Sequence, residues 1–185
     1  ELDPEIQKLR KYTQGYINDG AVFNGSNSII ALHSTAFKLT TYSFSGWIYS
    51  DDYSQSGVGI YDGGLEQPGN GTWYGLSVIV NSSKISSYGG DVAGVGGSGF
   101  YSGGSSTTTL TNGTWNHVVF VISGTSITGY INGSQDTGLS RTLGANIQYA
   151  STSNTFHLGS RKGAFGTYGY FNGKIDQARI FNKAL

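Results

Sequence analysis

Cysteine is absent from all 185 residues, which excludes disulfides, thiolate metal sites and cysteine nucleophiles, and leaves the redox compartment open. Methionine is absent too, and the chain opens at Glu1, so it is expected to be processed, excised or only partly covered, which leaves room for upstream signals or domains. Charge is scarce at 12% of residues, and 11 basic side chains balance 11 acidic ones. No whole-molecule field is therefore available to gather a polyanion, and nucleic acid is not expected as a partner. No run approaches the roughly 20 apolar residues that a bilayer span requires, so membrane insertion is not expected either, and no signal-peptide pattern is visible. Proline occurs only twice.

What fills the chain instead is glycine, 30 of them, together with abundant Ser, Thr and Asn, 13 Tyr, 9 Phe and 3 Trp. Disordered segments share the Gly/Ser content but are poor in aromatics, so this mixture points to many short strands joined by turns. The length suits one domain with a substantial core.

Residues 1–19 differ from the rest. Asp3-Pro4 has the form of an N-cap followed by a first helical proline, and Leu2, Ile6, Leu9 and Tyr12 lie about one turn apart, so a short helix is expected over 3–14, ending at Gly15. A helix this short is marginal alone, so its apolar stripe is expected to pack on the domain, on a missing neighbour, or on other copies as a docking or oligomerisation arm.

From residue 20 to 185 the periodicity is two. Asn24-Gly25 is expected to be a tight turn between strands at 21–23 and 28–33. Residues 42–50, YSFSGWIYS, alternate so that Phe44, Gly46 and Ile48 face one way and Ser45, Trp47 and Tyr49 the other. Strands follow over 58–61, 73–80 and 84–88. Residues 89–104 then interrupt them with a glycine-rich loop too poor in side chains to pack as a core element. The clearest hairpin joins 115–122 to 127–132 through Ser123-Gly124, and Asn132-Gly133 opens the next turn. Segments 156–159 and 171–181 complete about a dozen strands. The pattern predicts an all-β, two-sheet antiparallel sandwich. Val118, Phe120 and Ile122 alternate with Val119 and Val121, as in a strand covered on both faces. Trp47 and Trp115 are accordingly expected in the core, and would serve as ligand platforms only with exposed rings.

Four stretches, AVFNGSNSIIAL, YSFSGWIYS, WNHVVFVISGTSITGYINGSQD and FNGKIDQARIFNKAL, resemble in this order the laminin-G-like jelly rolls of the concanavalin A-like lectin and glucanase superfamily. The resemblance implies a jelly-roll sandwich in which the last strand returns beside the first. It leaves function open, because the same sandwich carries lectins, adhesion modules, glycosidases and capsid or tail proteins.

Superfamily members that cleave glycans are implied to use Glu, Asp and Glu at alternating positions of one strand. Hydrolysis needs two carboxyls about 5 Å apart for retention, or about 6.5–9.5 Å apart for inversion. No such strand occurs here: the glutamates are Glu1, Glu5 and Glu66, leaving Asp62 with Glu66 or Asp91 as the remaining acidic pairings. His33, His117 and His157 sit in no serine-nucleophile context, so an enzyme is not expected. His117 reads as a satisfied or rim histidine, and Asp176 beside Arg179 as a structural charge pair or turn anchor. The resemblance also implies a rim calcium held by oxygen ligands, for which Asp51, Asp52, Asp62, Asp91 and Asp136 are the candidates.

Glycan binding needs an aromatic face for the C–H surface of a sugar, with polar partners for its hydroxyls. Trp73, Tyr74, Phe100, Tyr101, Tyr168 and Tyr170, all in glycine-rich stretches, supply candidate rings, and Arg161 with Lys162 adjoins the last group as a candidate contact for an anionic glycan. Five Asn-x-Ser/Thr sequons, at Asn24, Asn70, Asn81, Asn112 and Asn132, are explained by turn chemistry. The expected function is a non-catalytic carbohydrate-binding or adhesion module, its partner a glycan or glycosylated surface, placed outside the cell or on a cell or virion surface. The alternative is a structural interaction protein, such as a capsid decoration, tail component or filament subunit, assembling through the helix.

Overall fold

The structure, a computed structural model, describes residues 12–14, 16–17, 19–63, 75–90, 100–149, 155–163 and 166–185. Strands are numbered in chain order. One sheet has seven strands, in the order β1 (Tyr12–Gln14), β2 (Asp19–Asn24), β15 (Asn172–Phe181), β4 (Thr41–Ser50), β9 (Thr114–Ser123), β10 (Ser126–Ile131) and β11 (Ser134–Thr142). The other has six, in the order β3 (Ile30–His33), β12 (Thr155–Leu158), β5 (Val58–Asp62), β6 (Leu76–Asn81), β7 (Lys84–Gly90) and β8 (Phe100–Ser105). A small ribbon of β13 (Arg161–Gly163) and β14 (Gly166–Tyr168) flanks the six-stranded sheet. Pairings are antiparallel, and the chain passes repeatedly between the sheets, which makes the jelly-roll sandwich expected from the sequence.

The core lies between the sheets and is built by alternation. Phe44 and Ile48 of β4, Val118, Phe120 and Ile122 of β9, and Ile127 and Ile131 of β10 face Tyr61, Leu76, Val78, Val80 and Ile85 of the opposing sheet. Phe44 and Tyr61 stack in this core, with ring centroids 4.6 Å apart. Full burial of one such side chain is worth about 1.5–3 kcal/mol, so this layer dominates the stability of the fold. The first half of β15 pairs with β2, matching Ile175 to Ala21 and Asn172 to Asn24, so the last strand does return beside the strand expected first from the sequence.

Several expectations are corrected. Most of the helix expected over 3–14, and the assembly role attached to it, lie outside the described residues. Its last part, Tyr12–Gln14, is strand β1, with Tyr12 opposite Ala21 and Gln14 opposite Asp19. The edge of β2 offers unpaired backbone donors and acceptors, and a ladder there outweighs the weak helical preference of so short a stretch. Asn24-Gly25 does not close a hairpin, because β2 and β3 lie in different sheets. It is a crossover in which Asn24 Oδ1 accepts the backbone N–H groups of Ser26, Asn27 and Ser28, at 3.0, 3.0 and 3.1 Å. The glycine-rich stretch after residue 88 is also partly strand, since Gly90 pairs with Phe100 and Gly89 with Tyr101. An edge strand draws its stability from backbone bonds and tolerates missing side chains.

Candidate functional site

The outward face of the seven-stranded sheet carries side chains that the core does not use. Register across β15, β4 and β9 aligns Lys174, Tyr49 and Trp115 in one row, and Asp176, Trp47 and His117 in the next. Trp47 and Trp115, expected inside, are therefore on the outer surface and partly exposed. The inward positions of β4 and β9 are already filled by Phe44, Ile48, Val118 and Phe120, and the pleat sends their sequence neighbours the other way.

On this face the rings are organised at angles. Trp47 stacks with Tyr16 at a centroid distance of 3.5 Å and with His117 at 4.8 Å. Tyr16 meets Trp115 edge-on, at 6.2 Å and 66°, and Trp115 meets Tyr49 at 5.4 Å and 48°. Tyr16, Trp115 and Tyr49 thus form a cradle, with Trp47 and His117 behind Tyr16. Asp176 sets the position of Tyr16: its Oδ2 accepts the Ile17 N–H at 2.9 Å, and its Oδ1 accepts the Gln177 N–H at 2.7 Å. Gln177 has φ +49°, at a bulge between β15 and β4. Asp176 is the turn anchor expected from the sequence, and Arg179 turns to Gln177 Oε1. His117 Nε2 lies 2.8 Å from Ser45 Oγ, and burial pushes the pKa of the imidazole down, favouring the neutral ring.

Beyond Tyr49 the face runs into a cleft of about 180 Å³ between Ser50–Asp52 and Asn172–Lys174. The Lys174 ammonium lies 4.8 Å from the centroid of the Tyr49 ring. Tyr49 donates its hydroxyl to Asp51 Oδ1 at 2.7 Å, which raises the phenol pKa. Asp52 Oδ1 accepts the Ser54 N–H at 2.8 Å, and hydrogen bonding to Ser54 lowers the carboxyl pKa. Ser50 Oγ donates to the Asn172 carbonyl at 2.8 Å, and Gln55 Nε2 donates to it at 2.9 Å, fixing the two walls together.

The sequence profile of a laminin-G-type family, described as the concanavalin A-like lectin/glucanases superfamily, matches residues 24–185. The chain belongs to this superfamily. Among solved structures, domain 4 of AbnA, a GH43 extracellular arabinanase from Geobacillus stearothermophilus solved with arabinotriose, is 25% identical with a TM-score of 0.68; the match covers 95% of this chain and 76% of that one. The CBM40 of a Ruminococcus gnavus IT-sialidase, bound to α2,3 sialyllactose, shares the fold at 13% identity and a TM-score of 0.66, covering 82% of this chain and 80% of that one. A heptameric SAP-like pentraxin from Limulus polyphemus also shares it, at 14% identity and a TM-score of 0.57, with coverage of 100% and 80%. No curated protein sequence matches closely enough to count as a relative.

In this superfamily member most of the described residues singled out from sequence fall elsewhere. Trp73, Tyr74 and Asp91 lie outside the described residues. Phe100 and Tyr101 are on β8, at an edge of the six-stranded sheet. Arg161 and Tyr168 are paired across the small ribbon. The Arg161 guanidinium lies 5.4 Å from the Tyr88 ring centroid, with Nη1 3.5 Å from the Gly57 carbonyl, and Tyr170 donates its hydroxyl to the Thr167 carbonyl at 3.3 Å. Arg161 and Tyr168 thus pair in the ribbon that flanks the six-stranded sheet, away from the aromatic face, and Tyr170 follows directly after that ribbon. Of the aspartates, Asp62 is buried in β5. Asp136 is buried too, and accepts from Thr107, Thr108 and Gly138. Asp51 and Asp52 line the cleft. Among the described residues no group of three or more His, Cys, Asp or Glu is placed to hold a metal ion. The sequon asparagines that are described act in turns: Asn112 accepts the Tyr53 N–H and Asn132 the His117 N–H, each at 2.8 Å.

Tyr16, Tyr49 and Lys174 were not singled out from the sequence for a site, and Trp47 and Trp115 were expected in the core, as ligand platforms only with exposed rings. The alternation of β4 was the available signal, since it sets Trp47 and Tyr49 on the face away from Phe44 and Ile48.

Proposed function

We propose that this domain is a non-catalytic carbohydrate-binding module working at an extracellular surface, and that the ring cradle on the seven-stranded sheet is its glycan-binding face. The observation that carries this reading is the set of three partly exposed rings, Tyr16, Trp115 and Tyr49, inclined to one another by 66° and 48°. A flat stack grips one face of a planar group, whereas inclined rings follow the puckered C–H surface of a sugar. The likeness to a domain of an extracellular arabinanase solved with arabinotriose supports both the ligand class and the location.

The outward positions of β4 and β9 on this face hold Ser45, Trp47, Tyr49, Trp115, His117 and Val119, without a carboxylate. Asp176 engages both its oxygens with backbone N–H groups. The carboxylates of the adjoining cleft, Asp51 and Asp52, are sequence neighbours on one wall rather than a pair facing each other across the cradle, so sugar binding without the bond cleavage that needs such a pair fits this surface. The test is an array of neutral and charged glycans followed by calorimetric titration of the best ligand, with product analysis after long incubation. Saturable binding with an intact glycan is the expected result; hydrolysis, or no binding to any glycan, overturns the reading.

A further inference from the structure

We propose that the cleft beside Tyr49 is a one-ring subsite that selects an uncharged sugar residue by its vicinal hydroxyls. This deepens, and rests on, the carbohydrate-binding reading of the neighbouring face.

Position is the first argument. Tyr49 belongs to both places: its ring is 5.4 Å from Trp115 on one side and 4.8 Å from the Lys174 ammonium on the other. A glycan leaving the cradle across Tyr49 enters the cleft, whose volume of about 180 Å³ accommodates a single ring rather than a chain segment.

Chemistry is the second. Asp51 and Asp52 offer acceptors and Lys174 offers donors, the combination that reads hydroxyl groups, each of which both donates and accepts. The acceptors are held in place beforehand. The Tyr49 hydroxyl fixes Asp51, the Ser54 N–H fixes Asp52, and each carboxylate, with about four lone-pair sites, keeps acceptor capacity for a ligand. Hydrogen bonding to Ser54 lowers the Asp52 pKa from its ordinary value.

Charge is the third. Two aspartates and one lysine line the cleft, and the Lys174 ammonium already rests over the Tyr49 ring. A uronate or other acidic sugar would meet net negative charge, whereas a neutral diol can donate both its protons to a carboxylate without repulsion.

The experiment titrates the full chain with arabinotriose and with the matched pair galactotriose and trigalacturonate, using wild type, the double variant D51N/D52N, Lys174→Gln and Trp115→Ala. Asp51 and Asp52 are exposed, so the double variant should melt as wild type does. The wild type is expected to favour galactotriose over trigalacturonate at least tenfold, and D51N/D52N to narrow that ratio below about threefold. Lys174→Gln is expected to weaken galactotriose without improving trigalacturonate. If the cleft variants keep wild-type affinity and preference while Trp115→Ala loses binding, the subsite is wrong and the glycan-binding face stands. If wild type binds none of the three probes the subsite fails, and the carbohydrate reading falls with it only if the glycan array is blank as well.

Discussion

The ring of Tyr16 lies flat on that of Trp47, with centroids 3.5 Å apart and planes within 11°, although the two residues belong to segments far apart in the chain. Tyr16 itself is 48% exposed and Ile17 49%, so the contact orders a segment that has little burial of its own. An aromatic pair of this kind is worth about 0.5–1.5 kcal/mol beyond its buried area. Tyr16→Ala should therefore cost about 1 kcal/mol of stability, uncover Trp47, and weaken glycan binding several-fold by removing one wall of the cradle. Thermal melts, the tryptophan emission maximum and a glycan titration read these effects; unchanged affinity would remove Tyr16 from the site.

His117 gives the face a pH dependence of known sign. Burial lowers its folded-state pKa below the ordinary value near 6.5, so the unfolded chain takes up the proton first as pH falls. Its contribution is complete above about pH 6.5, and declines below that value until the folded imidazole also protonates. His117→Gln keeps a polar group near Ser45 and should flatten this part of the profile. Melting temperatures at pH 7.5 and 5.0 should differ less in the variant than in wild type, and an equal difference would contradict the assignment.

Asp136 works in the opposite charge sense but with the same slope. Burial opposes its ionisation, yet hydrogen bonds from Thr107 and Thr108 outweigh burial and hold its pKa at about 2. The stabilisation is present above the unfolded value near 3.9 and is lost as pH falls towards 2. Asp136→Asn should cost about 1–2 kcal/mol at pH 7 and almost nothing at pH 2, because it loosens the hold of β11 on residues 107–108. Denaturant melts at the two pH values check this; an equal cost at both would show that charge is not what holds the segment.

Gly159 and Gly133 separate crowding from backbone strain. Both have positive φ, +78° and +81°, but a Cβ on Gly159 would come within 1.9 Å of Phe23 Cδ1, while one on Gly133 meets nothing within 4 Å. Gly133→Ala should cost about 1 kcal/mol, the left-handed penalty alone. Gly159→Ala should cost well over ~2 kcal/mol, because Phe23 is buried against Phe171 and has nowhere to go. Similar losses in the two variants would contradict this packing.

Much of this architecture can be read locally, and the exceptions have a common cause. Alternation in 42–50 separates Phe44 and Ile48 from Trp47 and Tyr49, and Asn132-Gly133 marks its turn with φ values of +52° and +81°. Alternation does not reveal which face will be covered, so Trp47 and Trp115 read as core until Phe44, Val118 and Phe120 are seen to fill it. Asn24-Gly25 has the same local chemistry whether the chain turns back within a sheet or crosses to the other one. Tyr12–Gln14 and Phe100–Ser105 become strands through partners elsewhere in the chain, β2 and β7, and their own side chains barely signal it. The cleft depends on β15 aligning Lys174 with Tyr49, a pairing of residues 125 positions apart that no local pattern encodes.

The most direct test of the central claim compares glycan affinity in Trp115→Ala with that in Tyr170→Ala, one on the seven-stranded face and one beside the ribbon on the other sheet. Removing a central aromatic anchor costs about 2 kcal/mol or more, which is roughly a 30-fold loss in affinity. Trp115→Ala should show that loss while still folded at the titration temperature, melting lower because its contacts to Tyr16 and Tyr49 are gone, and Tyr170→Ala should bind within twofold of wild type. Retained binding in Trp115→Ala together with loss in Tyr170→Ala would place the glycan on the other sheet and contradict the account.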